Sequence, residues 1–412
     1  MNLPGRPCNI PAILRTSPPN PSRTLPLALL LALAFGAVGY TPPPLFRREV
    51  NLQQATTCKT CHLGITEQWE KSAHSKAERS QNLLFGRMYF SSLKATRGGT
   101  FLNCGPCHEA TTYVNQDFNF IRDISHEGVT CVFCHMVSAP GPSTGTPPFE
   151  LDLNHYYGSI RNPVPTNAHA SEVSTYLRTS GFCGGCHAYK NQNGVTISDT
   201  YAEWKASKYA KQGVSCQTCH MPGQPGRVSY LGPSRPKVPD HTFSAQVAEK
   251  AQPGPSVTIA LRGTKITSGD SLSLSAVVTN TGWGHSLPTG NDQNMAIVRI
   301  RVLTAGGAIV WENDPFTEWS NSVFGIILED ELGNWPVETW MATKVLQNRR
   351  IKAGASATAR YRVPVGDHKG PYVVEAALLF RRARPQTIEA YALDENTFGN
   401  ERVLAEASLR VP

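Results

Sequence analysis

No run of lysine or arginine interrupts this chain, and only 17% of its 412 residues are charged. A nucleic-acid partner would call for such a cluster, so none is inferred. The apolar run from Leu27 to Tyr40 falls short of the ~20 residues of a confident membrane span and has the length of an export-signal core. No cysteine occurs after Cys219. What the chain has in plenty is Gly and Pro, 34 and 31 residues. Few charges with many chain-turning residues describe a loop-rich protein whose interior is filled by something other than side chains.

The cysteines say what fills it. Ten of the eleven fall in one repeated phrase, Cys-x-x-Cys-His. The copies are Cys58/Cys61/His62, Cys104/Cys107/His108, Cys131/Cys134/His135, Cys183/Cys186/His187 and Cys216/Cys219/His220. This is the attachment signature of c-type haem. Two residues between the thiols let both reach the vinyl groups on one porphyrin edge. The His then lies under the ring as the proximal iron ligand. Zinc sites take four ligands, and ten thiols do not divide into four-thiolate sites. Neither zinc nor a disulfide framework explains a His after every second Cys. Five covalently attached haem c groups are therefore expected. The chain charge of +8 is offset by the propionates, roughly ten negative groups for five haems.

The N-terminus reads as an export signal over residues 1–39. Arg6, Arg15 and Arg23 precede the apolar run, and small residues offer cleavage before Ala37 or before Tyr40. An uncleaved anchor attached to the membrane is the alternative reading of this leader. Cys8 lies before the apolar run and belongs to no motif. Residues 40–51, with Thr41-Pro42-Pro43-Pro44, form a linker. A mainly α, loop-rich haem domain is expected over 52–250. Export to the periplasm or cell surface agrees with covalent haem, which bacteria attach outside the cytoplasm.

Seven histidines lie outside the motifs: His74, His126, His155, His169, His241, His285 and His368. Five six-coordinate irons would need five distal ligands. Gln68-Trp69-Glu70-Lys71-Ser72-Ala73-His74 parallels Glu203-Trp204-Lys205-Ala206-Ser207-Lys208-Tyr209, and both read as short helices. The second carries a capping-box pattern, Thr200 with Glu203, and Gly213 past its end. His74 is a candidate distal ligand. Tyr209, in the matching place, must ionise from about 10 to bind iron, so packing or a hydrogen bond suits it better. His126, close before Cys131, is a further candidate. His155 reads as a loop or propionate contact, and His368 as an inert turn residue. Met136 and Met221 directly follow proximal histidines and point away from their own irons.

The Trp-x-x-Ser-x-His segment, the lead-ins Gly128-Val129-Thr130-Cys131 and Gly213-Val214-Ser215-Cys216, and Cys219-His220-Met221-Pro222 carry a resemblance. Over roughly residues 55 to 245 the chain resembles multihaem c-type cytochromes, namely the tetrahaem cytochrome of ammonia oxidisers and the group that includes hydroxylamine oxidoreductase. That resemblance implies distal ligands at His169, in Asn167-Ala168-His169-Ala170-Ser171, and at His241, in Asp240-His241-Thr242-Phe243.

Beyond Gln252-Pro253-Gly254-Pro255 the texture changes to period-two alternation. Ser271–Ser275, Val298–Val302, Ala308–Trp311 after a Gly306-Gly307 turn, Ala357–Val363, Tyr372–Phe380 and Ala405–Val411 read as strands. About seven strands predict an all-β immunoglobulin-like sandwich over 255–412. Residues 320–344 read as a long inserted loop. Trp283-Gly284-His285-Ser286-Leu287-Pro288-Thr289-Gly290 resembles the Gly-His-x-x-Pro-Thr-Gly loop of β-domains attached to this cytochrome family, which implies His285 as a ligand reaching across to a haem.

Electron transfer between redox-protein donors and acceptors, through closely packed and mostly bis-His haems, is the first functional expectation. The alternative is an oxidoreductase acting on a small nitrogen compound at one open-faced haem. No Cys-x-x-Cys-Lys phrase occurs, so the lysine-ligated site of pentahaem nitrite reductases is absent. A homo-oligomer or filament of cell-surface cytochromes is the third reading. No catalytic residue is assigned.

Overall fold

A helical turn puts residues i and i+3 on one face, so a short helix is the natural seat for two thiols that must reach one porphyrin edge. The computed structural model describes residues 52–141, 148–244, 255–265, 271–316, 319–368 and 370–412. The leader, Cys8 and the Pro-rich linker lie outside them, as do residues 245–254 at the expected domain boundary. In the first region the described helices are α1 (Ala55–Lys59), α2 (Leu63–Glu70), α3 (Leu83–Ala95), α4 (Thr100–His108), α5 (Ala110–Asn115), α6 (Cys131–His135), α7 (Ser180–Gly184), α8 (Thr200–Lys205), α9 (Lys208–Lys211) and α10 (Cys216–His220). Five of them carry the attachment phrases. Where the His falls beyond the helix the turn continues, with the His62 and His187 amides donating to the Cys58 and Cys183 carbonyls at 2.8 and 2.9 Å.

The internal repeat is structural. Trp69 donates its Nε1–H to the Val129 carbonyl at 2.9 Å, and Trp204 donates to the Val214 carbonyl at 2.9 Å. Each Val opens the lead-in to a haem phrase. Each follows a glycine with positive φ, Gly128 at 66° and Gly213 at 72°. Thr130 then caps α6 by accepting from the Phe133 amide, and Ser215 forms a capping box with Thr218 at the start of α10. The box expected at Thr200 and Glu203 does not form. Asp199 precedes α8 without a side-chain cap, and both residues instead bond to the β-region. The expected single helix there is two, α8 and α9. On the other copy α2 stops at Glu70, and His74 lies in the turns that follow.

Small sheets tie the loops between helices. β1 (Val137–Pro140) pairs with β2 (Phe149–Leu151), β3 (Tyr156–Gly158) with β4 (Ser171–Val173), β5 (Tyr189–Lys190) with β6 (Thr196–Ser198), and β7 (Gly223–Arg227) with β8 (Ser234–Pro239).

The second region is strand-rich. It contains β9 (Val257–Lys265), β10 (Ser271–Asn280), β11 (Met295–Thr304), β12 (Ile309–Glu312), β13 (Val323–Phe324), β14 (Ile326–Glu329), β15 (Lys344–Asn348), β16 (Ser356–Pro364), β17 (Tyr372–Arg381) and β18 (Arg402–Val411). One sheet has the order β16-β10-β9, and another β12-β11-β17-β18 with β13 also on β11. Alternation fixes which face is buried. Leu272, Leu274, Ala276 and Val278 of β10 share one apolar cluster with Val298, Ile300 and Val302 of β11 and with Val374, Ala376 and Leu378 of β17. Each such large side chain contributes about 1.5–3 kcal/mol on burial. The first half of β11 is buried on both faces, because Met295 and Ile297 pack in a second cluster with Val323 and Leu379.

Residues 320–344 are not the expected loop. They follow helix α11 (Trp319–Ser322) through β13 into β14, which pairs antiparallel with β15. Ile326, Leu328 and Ala342 of this arm pack on Val195 and Ile197. Asn191 donates to the Thr339 and Ala342 carbonyls, both at 2.8 Å. A further helix, α12 (Pro385–Ala390), lies between β17 and β18, where Ile388 and its neighbour Tyr391 pack near Leu84 of α3. No described helix is long and apolar enough to cross a membrane.

Candidate functional site

The short helices surround one continuous cavity of about 2280 Å³, beyond the ~300–1,000 Å³ of small-ligand pockets. All ten motif cysteines line it, with His62, His108, His135, His187 and His220. Four further histidines line it too: His74, His169, His241 and His285. Five basic side chains reach its wall, Arg161, Arg178, Arg235, Lys237 and Arg402, against the carboxylates of Glu172 and Asp292. A large apolar hollow with a cationic margin suits a flat apolar group bearing carboxylates.

The histidines stand in pairs. Ring centroids are 6.2 Å apart for His62 and His169, 6.3 Å for His74 and His187, 6.4 Å for His135 and His241, and 6.3 Å for His220 and His285. Two imidazole–metal bonds of about 2.0 Å, each extended by roughly 1.1 Å from nitrogen to ring centre, add to about 6.2 Å. The gap between each pair therefore has the width of one iron. Three pairs are inclined by 34° or less, and His74/His187 is near perpendicular at 81°.

Backbone carbonyls hold five of the rings in one tautomer. Nδ1 of His62 meets the Val228 carbonyl at 2.8 Å, that of His135 the Tyr157 carbonyl at 2.6 Å, and that of His108 the Ala77 carbonyl at 3.3 Å. Nδ1 of His241 meets the Pro239 carbonyl at 2.8 Å, and that of His285 the Ser286 carbonyl at 3.0 Å. A carbonyl only accepts, so the proton sits on Nδ1 and Nε2 keeps a free lone pair for a metal. Burial also keeps the His74, His220 and His241 rings neutral. Desolvation, then neighbouring imidazoles, lowers His74 and His220 to about 4, and desolvation with His135 lowers His241 to about 4.

His126 does not join them. Its Nε2 is 3.2 Å from the Phe120 carbonyl and its Nδ1 is 3.4 Å from the Ser80 hydroxyl, so both ring nitrogens face protein groups and neither faces the cavity. His155 bonds to Asp152 at 2.8 Å. His108 is left as the one motif histidine without an imidazole opposite it among the described residues. Phe85 stacks on the flat of its ring at 4.1 Å, a position that leaves the Nε2 edge open. Tyr209 directs its hydroxyl to the Thr281 carbonyl at 3.4 Å.

The thiol sulfurs, which stand where thioether sulfurs would be, show how the motifs neighbour one another. Cys58 lies close to Cys131, Cys107 to Cys186, and Cys183 to Cys216, each thiol perturbing the other's titration. Burial pushes the Cys104 and Cys134 thiols up to about 12.

His285 belongs to the strand-rich region, and its loop is pinned to α8. Glu203 accepts from the Ser286 amide at 3.1 Å and the Thr289 hydroxyl at 2.6 Å, and faces Arg350 at 3.6 Å. Thr200 and Thr289 share a hydrogen bond of 2.8 Å.

Residues 57–136 match the family model of cytochrome c554 and c-prime. Among solved structures, the chain is similar to a penta-heme cytochrome c552 from Thermochromatium tepidum, at 20% identity and a TM-score of 0.71, over 88% of this chain and 100% of that one. The family match and the five Cys-x-x-Cys-His phrases together support a multihaem c-type cytochrome. The C-terminal domain of wzt (11% identity, 39% of this chain and 75% of that one) and the putative ApaA protein from Bordetella pertussis (11%, 38% and 94%) reach TM-scores of only 0.21 and 0.18, which carry no argument. No curated protein matches the chain.

Proposed function

We propose that this cytochrome is an exported electron carrier with five haem c groups, one on each Cys-x-x-Cys-His phrase. The observation that carries the reading is the set of four imidazole pairs at 6.2–6.4 Å across one cavity. Bound haem c supplies a ferrous–ferric couple. His62 with His169, His187 with His74, His135 with His241 and His220 with His285 would each hold one iron. His108 would hold the fifth. Bis-His ligation leaves no vacancy for a substrate and favours low potentials. The neighbouring sulfurs favour an order in which the first motif adjoins the third, and the fourth adjoins both the second and the fifth. The sequence resemblance adds kinship with the ammonia-oxidiser tetrahaem cytochrome and hydroxylamine oxidoreductase group. The two sheets sharing one core favour an immunoglobulin-like sandwich for 255–412, and the loop of His285 makes that domain part of the haem site. The export-signal pattern in 1–39 favours a periplasmic or cell-surface address, with redox proteins as donors and acceptors.

A second reading rests on His108. With no imidazole opposite it among the described residues, its iron could take a small nitrogen compound, making the protein an oxidoreductase. Turnover decides between them. The reduced holoprotein is mixed with nitrite or hydroxylamine, and separately with an oxidised acceptor protein. Electron delivery to the acceptor without sustained consumption of either compound supports the carrier. Sustained consumption overturns it.

A further inference from the structure

The helix α3 has two working faces. Leu84, Phe85, Met88, Tyr89 and Ser92 line the cavity, and Phe85 stacks on His108. Leu83, Arg87, Phe90 and Lys94 recur at steps of four, three and four, which places them in one stripe on another face. Arg97 continues the series beyond the helix end. The stripe faces solvent: Leu83 is 46% and Phe90 61% exposed, and Arg87, Lys94 and Arg97 are exposed. Leu102 on α4 adds a third large apolar side chain, 59% exposed. Between Glu78 and Glu109 the chain has no carboxylate. Arg79, the remaining cation of that stretch, is turned inward to Glu109 at 3.2 Å.

Resting on the electron-carrier reading above, we propose that this ridge of α3 is the docking surface for an acidic electron-transfer protein that exchanges electrons with the iron on His108. An apolar centre flanked by like charges is the complement of a partner with an apolar patch and a carboxylate rim. A helix is only about 10–12 Å thick, so a partner seated on the outside is one helix from the His108 site. A second copy of the chain is disfavoured, because an isologous contact would set the cationic ridge against itself. The stripe carries two large apolar residues, too few for a helix that lies in a lipid interface.

The test uses the haem-loaded protein and a reduced flavodoxin as the acidic probe. One electron leaves the flavin, which is oxidised, and one ferric iron is reduced. The bimolecular rate at low ionic strength is expected to fall about tenfold or more in R87E/K94E/R97E and to fall with added salt in the wild type. Reduction by dithionite and the Soret band stay unchanged. Carbodiimide treatment of the oxidised mixture is expected to join Lys94 to a flavodoxin carboxylate. With Soret and dithionite behaviour intact, a rate change below about twofold overturns the proposal. So does a cross-link elsewhere, or ridge-dependent binding to phosphatidylglycerol vesicles in place of flavodoxin. A wild type without a Soret band would instead strike the haem reading itself.

Discussion

Glu203→Ala tests whether the strand-rich region supplies an iron ligand through a preset loop. The Glu203 side chain is 15% exposed and that of Arg350 only 5%. The carboxylate accepts two hydrogen bonds from the His285 loop, at 3.1 and 2.6 Å. Hydrogen bonds to charged groups contribute about 1.5–3 kcal/mol each, and breaking a buried ion pair costs about 3–5 kcal/mol because the partner charge stays buried. These overlap, and Asp199 and Asp292 partly compensate Arg350. A net loss near 3 kcal/mol is expected. At about 2 °C per kcal/mol for a domain larger than 150–250 residues, Tm falls by roughly 6 °C. Because the same loop carries His285, the low-spin signal of the His220 iron should weaken and a high-spin signal rise. Calorimetry and paramagnetic resonance on one sample read both. Glu203→Gln, which keeps an acceptor, should lose less. A Tm change under about 2 °C with unchanged spin states would refute the reasoning.

Trp69→Phe should cost about 1–2 kcal/mol by orphaning the Val129 carbonyl, measured by denaturant unfolding, and Trp204→Phe should act likewise at Val214. Asn191→Ala removes two bonds to the 320–344 arm and should raise amide hydrogen exchange across residues 337–343 while leaving β10 protected. Burial, with Asp292 nearby, lifts Glu338 from 4.5 to about 7. Below about pH 4.5 both folded and unfolded forms hold the proton. Between about 4.5 and 7 only the folded form does, so stability falls with rising pH by up to about 3 kcal/mol and levels off above 7. Glu338→Gln should flatten that slope in guanidinium titrations; an unchanged slope would show that Glu338 is not its source.

The chemistry was legible in the sequence because covalent attachment forces a fixed local spacing, and His74, His169, His241 and His285 lie where the fold brings imidazoles together. His126 lies off that cavity, since nearness in sequence to Cys131 says nothing of ring direction, and its Nε2 meets the Phe120 carbonyl. Thr200 and Glu203 have the spacing of a local cap. Their partners, Thr289, Ser286 and Arg350, are more than 80 residues distant and win them. Residues 320–344 were unreadable for the same reason: the apolar surface that orders Ile326 and Leu328 belongs to Val195 and Ile197. Long-range burial leaves no local period to detect.

Paramagnetic resonance of the oxidised holoprotein tests the central claim most directly. The four imidazole pairs predict four low-spin ferric irons, one of them with the strong anisotropy of perpendicular rings at His74 and His187, and a single high-spin iron on His108. Two or more high-spin irons, or no iron signal from a protein whose mass equals the bare polypeptide, would contradict it.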